Sequence, residues 1–92
     1  MRAVKKILAA EQEMMDRVWY ERKLVMIEKI SNRLELMPSE DIMDGMGESM
    51  RRVEEKYGKE TLEYDEFKWG MLNGKLSALR WVLGEDWDML DT

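Results

Sequence analysis

In the stretch WGMLNGKLSALRW, from Trp69 to Trp81, two indoles, two cations and two short polar donors fall within a few helical turns. Trp69 and Trp81 could stack on a planar ring, while Asn73, Lys75, Ser77 and Arg80 could donate to a phosphate or a base edge. A nucleotide, or another small anionic ligand, is the natural class for such a set. Arg22, Lys29 and Arg33, far upstream, are the further cations that a fold could bring to it. The same stretch carries Gly70 and Gly74, and a glycine inside a helix costs about 1 kcal/mol relative to alanine. Something is therefore expected to lie close against them. Two occupants compete. One is a helix, from earlier in the chain or from a second copy, resting in a groove of Gly70, Gly74 and Ser77; the other is the flat ligand.

Other chemistry is poorly supplied. The chain holds no histidine and no cysteine, which removes the usual acid/base near neutral pH, thiolate nucleophiles, disulfides and the commonest zinc ligands. The carboxylate pairs Glu54/Glu55, Asp65/Glu66 and Glu85/Asp86 are adjacent, so on a helix they point about 100° apart and form no dyad. Glu60 and Glu63 read as a solvated face. No catalytic set, metal site or cofactor is expected, and the chain reads as a non-enzyme.

Charge narrows the partners. Twenty acidic against fifteen basic residues give a formal charge of −5 over 92 residues, which opposes direct nucleic-acid binding and capture by anionic membranes. The basic start MRAVKKILAA has too short an apolar run for a signal peptide, and no segment approaches the ~18 apolar residues of a membrane span. A cytoplasmic location follows as the expectation. The acids could in principle mimic nucleic acid, but segments such as RRVEEKYGKE interleave them with lysine and arginine.

These residues need helices to position them. The first 37 residues contain neither proline nor glycine, so one long helix is expected from about residue 3 to 36, ended by the restriction that Pro38 places on the residue before it. At 100° per residue, Val4, Ile7, Leu8, Met14, Met15, Val18, Trp19, Val25, Met26 and Ile30 share one broad arc. Tyr20, Leu24, Ile27 and Leu34 form a second. Glu11, Arg22, Lys29 and Arg33 fall inside the main arc, either snorkelling to water or meeting opposite charges such as Glu85, Asp86, Asp88 and Asp91. A short second helix is expected after Ser39 as N-cap, with Gly45 and Gly47 interrupting or kinking it. Its apolar stripe is Met46, Met50, Val53 and Tyr57, and Gly58 closes it. KETLEYDEF reads as a connection. Asp65 then caps a third helix from about 66 to 83, whose core face is Trp69, Leu72, Leu76, Leu79 and Leu83. Residues 85–92 form an acidic tail. The fold class is all-α, a single domain over 1–92, packed as a small helical bundle. A helix apolar on two sides, in so small a chain, asks for a second copy, most simply as a homodimer.

The segment WGMLNGKLSALRWVLGEDWDMLDT resembles the C-terminal part of small phage and prokaryotic proteins, through Trp69, Gly70, Gly74, Lys75, Ser77, Arg80, Trp81, Gly84 and Trp87. The resemblance implies a phage or bacterial setting, host cytoplasm in the first case, and a host protein as partner. A protein-interaction module is the preferred expectation, with Trp87 among acids as an interface anchor. The nucleotide binder and the acidic mimic are its alternatives.

Overall fold

The computed structural model describes residues 1–86; Trp87 and the rest of the expected acidic tail lie outside the described residues. Among the described residues there are three helices, α1, Val4–Ser31, α2, Glu40–Tyr57, and α3, Glu66–Val82, with a short 3-10 turn at Lys59–Leu62. No strand occurs among the described residues, and no helix there is long and apolar enough to cross a membrane.

α1 stops about five residues before the expected end, and Pro38 is not what stops it. The Arg33 N–H donates to the Ile30 carbonyl at 3.0 Å and the Leu34 N–H to the Lys29 carbonyl at 2.8 Å. This pair of bonds is a Schellman closure, which needs a left-handed residue between them. Arg33 takes that place at φ 58°, a conformation that costs a residue with a Cβ about 1 kcal/mol. α2 begins as its sequence requires, with Ser39 Oγ accepting from the Ile42 N–H at 3.4 Å. It then runs through Gly45 and Gly47 without interruption, for 18 residues. Both glycines are exposed. Gly58 ends α2 at φ 86°, and its N–H reaches the Glu54 carbonyl.

The chain forms two compact units, one of Met1–Val18 with Tyr64 onward, the other of Trp19–Glu63. α1 contributes its first half to one and its second half to the other. In the second unit, Tyr20 from α1, Met46 and Met50 from α2, and Leu62 from the 3-10 turn make the core, flanked by Trp19, Met26, Ile27, Met43, Val53 and Tyr57. The connection thus contains a core residue. The turn is set by Thr61, whose hydroxyl lies 2.7 Å from the Tyr57 carbonyl and 2.8 Å from the Gly58 carbonyl. The Gly58 carbonyl also accepts the Thr61 N–H at 3.0 Å, so Thr61 binds the end of α2 through both its backbone and its side chain. At the edge of this core the Tyr20 hydroxyl donates to the Glu54 carboxylate.

In the first unit, Val18 packs with Leu72 and Leu76 of α3, and Met14, Tyr64 and Trp69 close around them. Asp65 caps α3 as expected, its Oδ1 accepting from the Lys68 N–H at 2.8 Å. Arg17 bridges Glu13, at 2.9 Å, and the Tyr64 hydroxyl, at 3.1 Å, which ties the entry of α3 to α1.

Two outcomes follow. Arg33→Gly relieves the left-handed strain and is expected to raise the unfolding free energy by about 0.5–1 kcal/mol in urea titration, whereas Arg33→Val lowers it. Burial, and then the hydrogen bond to Glu54, push the Tyr20 hydroxyl up to about 12 from its ordinary 10. The unfolded chain therefore loses this proton first as pH rises, so the stability it contributes is complete below about pH 10 and is lost toward pH 12. Stability measured across that range should fall by about 2 kcal/mol more in the wild type than in Tyr20→Phe.

Candidate interaction surface on the third helix

α3 has one face committed to the first unit's core and another that faces water. Leu72 and Leu76 are buried, and Trp69, Leu79 and Leu83 are half-buried beside them, as the spacing of the leucines requires. On the outer face Phe67 is 74% exposed, Trp81 and Val82 each 51%, and Met71 46%. Given 150–250 Å² for a large aromatic, the four leave on the order of 400 Å² of apolar surface in water. That is a large patch for so small a chain. Phe67, Met71, Gly74, Ala78 and Trp81 recur at spacings of 4, 3, 4 and 3, which holds them on one side of a helix.

Gly70 and Gly74 lie on this outer side. Nothing within 4 Å would meet a Cβ built at either, so no part of the described chain fills the expected groove. The glycines leave backbone open to an outside partner.

The residues singled out as ligand donors are divided. Trp69 belongs to the core with Val18, Leu72 and Leu76, its ring 6.2 Å from that of Tyr64 at 59°. The Asn73 side chain donates to the Trp69 carbonyl at 2.8 Å. Arg80 Nε lies 4.0 Å from Glu11 and 3.9 Å from Glu85, with the Arg80 and Glu11 side chains only 16% and 19% exposed. Glu11, a charge within an apolar arc, thus meets an opposite charge from α3. Lys75 is exposed and Ser77 half-buried. Lys75 and Arg80 are five residues apart, so they leave α3 about 140° from each other. Arg22, Lys29 and Arg33 are exposed and belong to the other unit.

Phe67, the most exposed aromatic of the outer face, escaped the sequence reading, although its 4-3-4-3 relation to Trp81 was available there. A second apolar surface surrounds the link between α1 and α2, where Ile30, Arg33, Leu34, Glu35, Leu36 and Met37 line an open recess of about 430 Å³. No group of three or more histidine, cysteine, aspartate or glutamate side chains placed to hold a metal ion occurs among the described residues.

Arg80 is placed as a structural cation. Arg80→Ala should lower the unfolding free energy by about 1 kcal/mol in urea titration, and the loss should shrink when Glu11 is already alanine. Comparison with known proteins adds no relative to this geometry: no family model, curated protein or solved structure matches the chain.

Proposed function

We propose that this chain is a non-catalytic helical interaction module that associates with itself through the outer face of α3. The observation that carries the reading is the exposed stripe of Phe67, Met71, Trp81 and Val82 beside two glycines with open space above them. A soluble helix that keeps two glycines and four large apolar side chains in water forgoes both helix propensity and burial. A second copy laid on the stripe recovers the burial, and the glycines admit its backbone closely. A host protein as a further partner rests on the resemblance of the C-terminal segment to phage proteins.

Support for a nucleotide binder is weaker. Its cationic donor Arg80 is held between two carboxylates, Asn73 is bonded to its own helix, and Trp69 is packed into a core.

Light scattering on the wild type at tens of micromolar should give twice the 11.0 kDa chain mass, falling toward the chain mass on dilution. Phe67→Glu, which sets a charge in the stripe, should remain at the chain mass throughout with an unchanged helical circular dichroism spectrum. A wild type at 11.0 kDa across the range rejects self-association. A thermal shift with linear or cyclic nucleotides that disappears in Arg80→Ala would favour the ligand reading instead.

A further inference from the structure

The outer face of α3 is arranged nearly symmetrically about Gly74. Phe67 and Trp81 lie seven residues to either side of it, Gly70 and Ala78 four, Met71 and Ser77 three. We infer, resting on the self-association proposed above, that two copies pair through α3 in antiparallel orientation, with a two-fold axis beside Gly74. Such an axis sets Gly74 against its own counterpart, where the backbones come closest. Met71 then meets the partner copy's alanine at position 78, and Gly70 the partner copy's serine at position 77, large against small and small against small. At each end an aromatic from position 67 covers one from position 81, closing the interface where the crossing helices diverge.

Helix dipoles favour this direction over the parallel one: antiparallel copies oppose their dipoles, whereas a parallel pair aligns them. Two faces of about 400 Å² bury on the order of 800 Å² in large side chains, below the roughly 1,200 Å² at which standard specific interfaces begin, which places the pair among weak, reversible associations.

Because the chain has no cysteine, introduced thiols report the pairing without background. Oxidation of Gly74→Cys should give a covalent dimer, since its two copies lie beside the axis within reach of a disulfide. Ala78→Cys alone should not, because antiparallel counterparts at that position are displaced about 12 Å along the helix. Mixing Met71→Cys with Ala78→Cys should give the crosslinked heterodimer. Light scattering of the same proteins under reducing conditions separates the two claims. A reduced dimer in which Ala78→Cys crosslinks to itself overturns the antiparallel arrangement and leaves self-association standing. A reduced dimer that crosslinks at none of these positions places the interface elsewhere and overturns the inference. A wild type that stays at the chain mass removes both claims together.

Discussion

Both cores depend on the uninterrupted run of α1. Val18 and Tyr20, two residues apart, are each buried in a different cluster, one with Leu72 and Leu76 and one with Met46, Met50 and Leu62. Neither cluster is large enough to be complete without its share of the helix, since a small domain buries too little surface to spare any of it. Part of the apolar character of α1 is thereby spent within the chain, while Val4, Leu8, Leu24 and Val25 stay exposed on it. Further exposed apolar side chains lie on the outer face of α3 and around the link from α1 to α2.

The polar interactions serve the same economy of surface. Three of them join α1 to a later part of its own unit: Tyr20 to Glu54, Arg17 to Tyr64, Glu11 to Arg80. They sit at the margins of the cores, where a paired charge or hydroxyl can seal an edge without full desolvation. Arg80 is the clearest case: a cation that reads as a ligand donor in the sequence is held by two carboxylates in the fold.

The helices were legible because their signals are local. Ser39 and Asp65 cap where their types predict, Gly58 closes α2, and the stripes Met46–Met50–Val53–Tyr57 and Trp69–Leu72–Leu76–Leu79–Leu83 turn inward as periodicity requires. The end of α1 was not legible, because an arginine rather than a glycine takes the left-handed position and nothing in its type announces it. Gly45 and Gly47 misled in the opposite sense, since a glycine weakens a helix without having to break it. The 3-10 turn escaped notice because Leu62 is a lone apolar residue among charges, and only Thr61 bonding back to the end of α2 brings it inward. At the candidate surface, the openness above Gly70 and Gly74 depends on what the rest of the fold leaves uncovered, which residue spacing alone does not determine.

The glycines of α3 lower the stability of the isolated helix, a cost that the proposed contact with a second copy offsets. The concentration dependence of the thermal unfolding midpoint tests this most directly, because a protein stabilised by its own association unfolds at higher temperature when more concentrated. The wild-type midpoint is expected to climb over a hundredfold range of concentration, and that of a Gly74→Leu variant, which overpacks the contact, to stay independent of concentration. A wild-type midpoint independent of concentration, together with a Gly74→Leu midpoint raised by the better helix propensity of leucine, would contradict the proposed contact.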